Sequence, residues 1–172
     1  MGWLFRPARP AGAVVRGLRR LADPRFYLKL VIGVAVGGLV LVPTIADLVN
    51  AAMRPIDSDR GLCRIIRVID GDTVSMICAE EGMVSARIVG FDTPELYTPR
   101  CLGEFVAAER ASWGLRTLIQ RADRLQLTHQ GTDKYGRALV VLEVNGVDVA
   151  REMIRAGHGR PYGGGLRGTW CS

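Results

Sequence analysis

The chain has 172 residues, of which 48% are hydrophobic, and a formal net charge of +6 at pH 7. A chain of this length predicts one domain with an additional segment. The charge belongs to the N-terminus: residues 1–29 contain seven basic residues and one acidic residue, whereas residues 30–172 contain equal numbers of the two. The composition gives no sign of a general polyanion-binding surface on the main domain, so phosphate binding there must depend on a few placed arginines.

An apolar segment follows the basic residues. Residues 30–46, LVIGVAVGGLVLVPTIA, carry no charge, and about 17–25 apolar residues span a bilayer. A signal peptide cleaved near residue 51, which would make the protein secreted, is the alternative, but a basic lead of 29 residues is long for one. We favour an uncleaved anchor. The basic residues then stay in the cytoplasm, and the C-terminal part lies outside it, in the periplasm or at the cell surface.

The folded domain is predicted to contain five strands and two helices. Its first two strands flank Asp70-Gly71, a dipeptide typical of tight hairpin turns, and the third strand completes a meander. A helix then separates the third strand from the fourth, which is the order of a small OB-type Greek-key barrel. The predicted strands are 62–69, 73–78, 84–91, 124–129 and 137–144, and the predicted helices are 103–121 and 148–157. The predicted parts of the chain are a basic cytoplasmic segment (1–29), a transmembrane anchor or signal (30–50), a linker (51–61) and the barrel domain (62–172).

All the cysteines follow the apolar segment, at Cys63, Cys78, Cys101 and Cys171. An even number on the exported side of a membrane fits two disulfides, with three possible connectivities. Zinc binding is disfavoured because the chain has no C-x-x-C pair and only two histidines, His129 and His158.

Unusual polar residues concentrate in three segments, DGDT (70–73), RIVGFDTPE (87–95) and TDKYGR (132–137). Each lies in a turn, in a loop or at a strand end, where functional sites concentrate. Asp72, Asp92 and the carbonyl of Thr93 would supply a minority of the roughly 6–8 oxygen ligands that calcium takes. Water and a substrate phosphate would complete such a weak site. Considered alone, each aspartate is better explained as a turn former than as a metal ligand.

Three further residues carry charges suited to phosphate chemistry. Glu95 lies in the loop close to Asp92, where a carboxylate can accept a proton from water, although considered alone it is better explained as a solvated loop acid. Arg87 and Arg137 are candidates for bidentate capture of a phosphate, with ordinary surface ion pairs as the alternative.

Taken together, the stretches VIDGDTV, RIVGFDTPE and TDKYGRALV, with the helix GEFVAAERASWGLRTLI between the last two, resemble the staphylococcal nuclease (thermonuclease) family. The resemblance covers roughly residues 62–160. It implies an OB-type barrel that hydrolyses phosphodiesters in DNA and RNA with Ca²⁺. It also implies roles for six residues, all present here. The metal ligands are Asp72, Asp92 and the carbonyl of Thr93, Glu95 is the general base or the residue that orients the attacking water, and Arg87 and Arg137 are the phosphate clamps.

Two tyrosines are weaker candidates for substrate binding. Tyr135 either lines the nucleotide pocket or packs against the fold, and Tyr162, in the glycine-rich tail, is a candidate for stacking on a base. The tail replaces the aromatic loop and final helix that the family usually has.

The hairpin also bears on the cysteines. A simple hairpin about Asp70-Gly71 would place Cys63 opposite Cys78, which leaves Cys101 to pair with Cys171. We hypothesise that this second disulfide staples the tail near the loop after Glu95 and stands in for the missing helix.

These observations predict a membrane-anchored, extracytoplasmic, calcium-dependent nuclease of broad specificity, with membrane contact through residues 30–46 and no inferable protein partner. A neutral domain lacks a strong grip on duplex DNA, which favours single-stranded or frayed substrates. The rival is a non-catalytic OB-barrel module that binds nucleic acid or protein, since OB barrels often bind without chemistry.

Overall fold

The computed structural model describes residues 24–53 and 55–171. Most of the predicted basic segment 1–29 therefore lies outside the described residues. The chain forms two compact units, the first ending at Pro43 and the second beginning at Thr44. The division into the four predicted parts remains a prediction.

Helix α1 spans Pro24–Met53, and its apolar side chains are largely exposed. Within it, the segment Pro24–Val49 has a mean hydropathy of 2.2 and is long and apolar enough to cross a membrane. A signal sequence near the N-terminus satisfies the same criteria of length and composition. The helix thus fits either an anchor or a signal.

The remaining elements form a curled sheet with two helices packed against it. The strands are β1 (Asp57–Ser58), β2 (Cys63–Val68), β3 (Thr73–Cys78), β4 (Gly82–Ile88), β5 (Gly90–Asp92), β6 (Leu125–Thr132), β7 (Ala138–Val144), β8 (Val147–Asp148) and β9 (Arg160–Tyr162), and the helices are α2 (Leu102–Arg121) and α3 (Val149–Arg155).

The sheet topology confirms the predicted OB-type barrel. Its main sheet runs in the order β1-β6-β7-β4-β3-β2, with β8 pairing beside β7. The meander β2–β3–β4 is antiparallel, whereas β4 pairs with β7 in parallel. The five predicted strands correspond to β2, β3, β4, β6 and β7, and the two-residue strands β1 and β8 extend the sheet to seven.

The third predicted strand is divided in the structure. Residues 84–91 were expected to form one strand, but β4 ends at Ile88 and β5 begins at Gly90. Gly90 has a φ of +97°, a conformation that side-chain-bearing residues rarely adopt, so the chain changes direction there. Strand β5 leaves the main sheet and forms a separate two-stranded sheet with β9.

The core lies between the curled sheet and α2. Strands β2 and β7 alternate buried and less buried residues, as expected for strands with one face on a core. Met76, Ile88, Leu115 and Leu142 are among the largest side chains that are fully buried. Burial of each such side chain contributes about 1.5–3 kcal/mol.

Two chain segments that were expected to be irregular belong to the fold. Within the predicted linker 51–61, Ile56 is fully buried and the β1 residues pair in parallel with β6. In the glycine-rich tail, β9 pairs antiparallel with β5, so that Arg160 lies opposite Asp92. The tail is therefore positioned by backbone hydrogen bonds before its disulfide is reached.

Both disulfides of the hypothesis are confirmed in the structure. Cys63 bonds to Cys78 across the β2–β3 hairpin, where the two residues are register partners. Cys101 bonds to Cys171 and attaches the end of the tail to the start of α2. Cys101 is also the N-cap of α2, since its sulfur accepts a hydrogen bond from the Glu104 amide at 3.4 Å.

Gly71 has a different role from the one that the turn pattern suggested. A hairpin of the expected type uses positive φ at its central residues, but Gly71 is not among the residues with positive φ. A Cβ at Gly71 would instead lie 2.8 Å from the Ala111 Cβ and 2.9 Å from the Thr93 side chain. The glycine is required because the loop before β3 packs directly on α2 and on the loop after β5.

Candidate functional site

One cavity of about 750 Å³ is bordered by seven of the eight predicted catalytic, metal and substrate residues. Asp92 borders a smaller adjoining cavity of about 160 Å³, which shares Thr93, Glu95 and Arg167 with the larger one. Another cavity of about 620 Å³ lies between α2 and α3 and contains none of the predicted site residues. The seven residues around the main cavity are Asp72, Arg87, Thr93, Glu95, Tyr135, Arg137 and Tyr162.

The first part of the site is a buried pair, Asp72 and Arg87. The β3–β4 register places Arg87 opposite Thr73, and the Ile88 amide donates to the Asp72 carbonyl at 2.8 Å. Arg87 Nη2 contacts Asp72 Oδ2, and the two side chains are only 11% and 4% exposed. The hydroxyl of Thr73 donates to the other carboxylate oxygen at 2.8 Å. The hairpin therefore holds both groups in one fixed geometry.

Burial and the nearby Asp70 carboxylate raise the pKa of Asp72 to about 7, against the lowering effect of Arg87. The ion pair with Arg87 favours the charged carboxylate, whereas the raised pKa means that burial favours the protonated form. The raised value has a physical cause, because a carboxylate inside the protein loses its hydration. A cation at this carboxylate would restore the charged form.

The second part of the site is Asp92, which is 1% exposed and forms its contacts with the tail. Arg160 Nη2 and Trp170 Nε1 both donate to Asp92 Oδ2, at 3.1 and 3.2 Å. The other oxygen, Oδ1, lies 3.1 Å from Arg167 Nε, which is an ion-pair distance. The contact lacks hydrogen-bond geometry, however, and among the described residues Oδ1 accepts no hydrogen bond. Asp92 thus presents one buried oxygen that is only partly satisfied.

The third part is the loop that carries Glu95, whose side chain is 39% exposed at the border of both cavities. This loop is fastened by Glu104, a buried residue in the first turn of α2. The Glu104 carboxylate accepts from the Arg100 amide at 2.7 Å and from the Glu95 amide at 3.5 Å. Glu95 therefore combines solvent access with a positioned backbone.

Arg137 enters the cavity from the start of β7, because β4 and β7 run in parallel with Arg87 opposite Leu139. Asp133 accepts from Arg137 Nε at 2.8 Å and contacts Nη2 at 2.8 Å. Slight burial would raise the pKa of Asp133, but hydrogen bonds from Arg137 and Tyr135 outweigh it and lower that pKa. Asp133 thus stays charged and orients the arginine, while the ion pair uses only two of its three nitrogens.

The two tyrosines differ in how they meet the cavity. Tyr135 is 71% exposed, which argues against the packing alternative, and Lys134 Nζ lies 4.9 Å from its ring centre. Tyr162 is half-buried and donates its hydroxyl to the Gly165 carbonyl at 2.6 Å. Arg167 lies 5.9 Å from the Tyr162 ring centre. Tyr135 thus offers an exposed aromatic face, whereas Tyr162 is tied to the tail.

Sequence reasoning missed four residues of the site: Glu104, Arg160, Arg167 and Trp170. Glu104 was recognisable in principle, because an acid three residues after an N-cap is a common helix-start pattern. The other three lie in a glycine-rich tail, and their placement follows from the β5–β9 pairing and the second disulfide. No periodicity in the sequence signals that pairing.

The donor set fits a hard cation such as calcium or magnesium. Two buried carboxylates and a backbone carbonyl are oxygen ligands of the type that these ions take. The partly satisfied Asp92 Oδ1 and the raised pKa of Asp72 both indicate acidic groups that lack full compensation from the protein. Asp72, Asp92 and the Thr93 carbonyl are the residues that would hold the ion.

Fold and site together define a class of protein: an OB-type barrel with two buried aspartates, a loop glutamate and two arginines beside one cleft. Residues 85–163 match the family model described as "Staphylococcal nuclease homologue". Within these residues the chain is similar to the staphylococcal nuclease family, and the match covers a little less than half of its length. Asp72 lies outside the matched range, and its connection to the site rests on the hairpin register and on Arg87.

Three named relatives are similar to part of the chain. The chain is 34% identical to "Thermonuclease" of Staphylococcus hyicus over 76 residues, which is 44% of each protein. It is 30% identical to "Endonuclease YhcR" of Bacillus subtilis over 103 residues, 56% of this chain and 8% of that protein. It is 23% identical to an "Uncharacterized endonuclease" of Haemophilus influenzae over 104 residues, 60% of this chain and 54% of that protein. The matches thus span about half or less of each relative.

Proposed function

We propose that the barrel domain is a calcium-dependent phosphodiesterase that hydrolyses DNA and RNA with broad specificity. The observation that carries the proposal is the convergence of Asp72, Arg87, Glu95 and Arg137 on one cavity, with Asp92 adjoining it. The names of the relatives, a thermonuclease and two endonucleases, support the same reaction class.

In this proposal each side chain has one task. Asp72, Asp92 and the Thr93 carbonyl would hold the calcium ion, which would supply polarisation of a phosphoryl oxygen. Glu95 accepts a proton from the water that attacks phosphorus, and its exposure at the cavity border gives water access. Arg87 and Arg137 donate to the phosphate oxygens, on which negative charge builds as the new P–O bond forms and the old one breaks.

Two further acids, Asp133 and Glu104, hold Arg137 and the Glu95 loop in position. Asp133 fixes Arg137 through Nε and Nη2, and so leaves Nη1 for the substrate. Glu104 holds the loop backbone on which Glu95 lies. Tyr135 supplies an exposed ring on which a base can stack, an interaction that tolerates different sequences.

The domain is proposed to act outside the cytoplasm, tethered by the apolar helix or secreted after cleavage near residue 51. Helix Pro24–Val49 supports membrane insertion, and two disulfides support an oxidising compartment. A site with few protein ligands binds calcium weakly, which suits the high calcium concentrations outside cells. A neutral domain favours single-stranded over duplex substrates.

The test uses the full chain in detergent, with fluorescent single-stranded DNA, duplex DNA and RNA, in calcium or in chelator. We expect cleavage only with calcium and a loss of about 10²–10⁴-fold in rate for Glu95→Gln, since this is the usual contribution of a general base. Glu81→Gln is the matched control, because Glu81 pairs with Arg60 on the β3–β4 hairpin, outside both cavities.

Two outcomes would contradict the proposal. Cleavage that continues in chelator and in Glu95→Gln would assign the activity to another site. Binding of nucleic acid without cleavage, by a folded protein saturated with calcium, would instead favour the non-catalytic binding module. The pairing of Asp92 with two tail arginines is the one observation that favours this module, since it partly neutralises a proposed metal ligand.

A further inference from the structure

The tail after β9 folds back over Asp92 and is fixed at both ends. We refer to residues 163–171 as the C-terminal strap. At its start, β9 pairs with β5, and at its end Cys171 is bonded to Cys101. Between them, Arg160 donates to the Gly168 carbonyl at 2.6 Å and to the Thr169 carbonyl at 3.1 Å. The strap is therefore a braced loop and not a loose end.

The two carboxylate oxygens of Asp92 have different partners. Oδ2 receives the Arg160 and Trp170 hydrogen bonds, and Arg160 is held in register by the β5–β9 pairing. Among the described residues, Oδ1 accepts no hydrogen bond, and its ion-pair contact is Arg167 Nε at 3.1 Å. Oδ1 is thus the oxygen of Asp92 that remains for an added ligand, and Arg167 is the group beside it.

The positively charged guanidinium of Arg167 lies between the carboxylates of Asp92 and Glu95. Its Nη1 also lies 4.0 Å from Glu95 Oε2, so the guanidinium bridges two acids of the proposed site. Partial burial would lower the pKa of Arg167, but the charges of Asp92 and then Asp72 outweigh it and raise that pKa. The side chain is nevertheless 40% exposed and borders the open cavity, so it has room to move away.

We propose that Arg167 is a tethered competitor for the metal ion: it neutralises Asp92 in the metal-free protein and leaves Oδ1 when a divalent cation binds there. This inference rests on the proposed function, because it concerns the same metal site. A guanidinium and a dication at one carboxylate oxygen repel each other, so each lowers the affinity of the other by the same factor. The disulfide keeps Arg167 at high effective concentration beside Asp92.

Metal affinity is the direct test, independent of nuclease activity. The full chain in detergent is titrated with Tb³⁺, whose luminescence Trp170 can sensitise because its indole contacts Asp92, and Ca²⁺ is then used to displace the Tb³⁺. We expect Arg167→Gln to bind Ca²⁺ about two- to fivefold more tightly than the wild type, the range of a partly exposed ion pair. Arg167→Lys, which keeps the charge, should stay close to the wild type.

The controls separate this inference from the proposed function. Arg155→Gln removes an exposed arginine that pairs with Glu152 on α3, and it should leave the affinity unchanged. Raising the salt concentration should shrink the difference between Arg167→Gln and the wild type, because the competition is electrostatic. Equal or weaker Ca²⁺ binding by Arg167→Gln, at a site that Asp92→Asn abolishes, would overturn the inference alone. Absence of metal binding in every variant would overturn the proposed calcium site and the inference with it.

Discussion

The two aspartates of the site are held in opposite ways. Asp72 belongs to a hairpin whose two strands, disulfide and arginine partner all lie within residues 63–87. Asp92 is held by Arg160, Arg167 and Trp170, which follow it by about 70 residues along the chain. One carboxylate is thus positioned by local contacts, and the other by the last segment of the described chain.

This difference separates rigidity from adjustability. The Asp72–Arg87 pair is almost fully buried, so we expect the loss of either partner to lower the free energy of unfolding. The Arg167 side chain beside Asp92 is 40% exposed and can respond to ions and solvent. For the proposed cation site, we infer that the hairpin supplies the fixed half and the strap supplies the responsive half.

The largest effect on the free energy of unfolding is expected from removal of the disulfides. The loss should be greater for the Cys101–Cys171 bond, which holds the strap beside Asp92. In the chain-entropy model, the Cys101–Cys171 bond across 70 residues contributes about 4 kcal/mol, whereas the Cys63–Cys78 bond across 15 residues contributes about 3 kcal/mol. Urea unfolding of the two Cys→Ser double variants measures both free energies. A smaller loss for Cys101→Ser/Cys171→Ser would show that the strap is loosely attached. Serine keeps a capping oxygen at position 101, so the helix cap is not the variable.

A comparably large effect is expected at the fixed half when one partner of its ion pair is removed. Arg87→Gln leaves a buried carboxylate without its charge partner, and we expect a loss of about 3 kcal/mol in the free energy of unfolding. Arg167→Gln is the matched variant at Asp92 and should cost less than about 1 kcal/mol, because its arginine is partly exposed. Equal losses in thermal or urea unfolding would contradict the proposed contrast between the halves.

A third comparison uses two glycines that each approach another group closely. Gly71→Ala places a methyl group 2.8 Å from the Ala111 Cβ, where neither side can yield, so we expect a loss of about 2 kcal/mol. Gly168→Ala meets the end of the flexible Arg160 side chain at 3.1 Å, and we expect little change. Urea unfolding of both variants decides whether the hairpin loop is as rigidly packed as the structure indicates.

The smallest effect, over the single pH unit that is measured, is a pH slope in metal-free protein. The folded pKa of Asp72 is raised to about 7 from an ordinary value of 3.8, so between these pH values the folded state keeps a proton that the unfolded state has lost. Stability should therefore fall as pH rises through this window, by at most about 1.4 kcal/mol per pH unit. Urea unfolding at pH 5 and pH 6 in chelator should show this slope in the wild type, relative to Asp72→Asn. Identical slopes in the two proteins would mean that Asp72 is already charged.

The sequence allowed prediction of those features that depend on neighbouring residues or on a recognisable motif. The hairpin strands, the Cys63–Cys78 pairing and the separation of the third and fourth strands by a helix all follow local patterns. The reason for Gly71 did not follow, because a glycine that avoids Ala111 looks the same in sequence as a glycine that makes a turn. A close approach between elements that are distant in the chain produces no periodic pattern in the sequence, so it cannot be predicted from one.

The tail was the other failure of sequence reasoning. Three glycines in succession at 163–165 indicate irregular structure, and they conceal the fact that the preceding residues Arg160–Tyr162 form a strand. The cysteine count together with the hairpin correctly predicted the Cys101–Cys171 bond, but the roles of Arg167 and Trp170 required the β5–β9 register as well. An ion pair between residues about 70 positions apart cannot be predicted from sequence pattern, because an arginine that forms one looks the same in the sequence as any other surface arginine.

The different spans of the two disulfides also impose an order on oxidative folding. Cys63 and Cys78 meet as soon as one hairpin forms, an event that takes about 1–10 μs in isolated hairpins. Cys101 and Cys171 are separated in the chain by β6, β7, α3 and β9, and the pairing of β9 with β5 precedes the tail that ends at Cys171. We therefore expect the second bond to close after the first, so that free thiols at Cys101 and Cys171 would mark a chain whose tail has not yet docked.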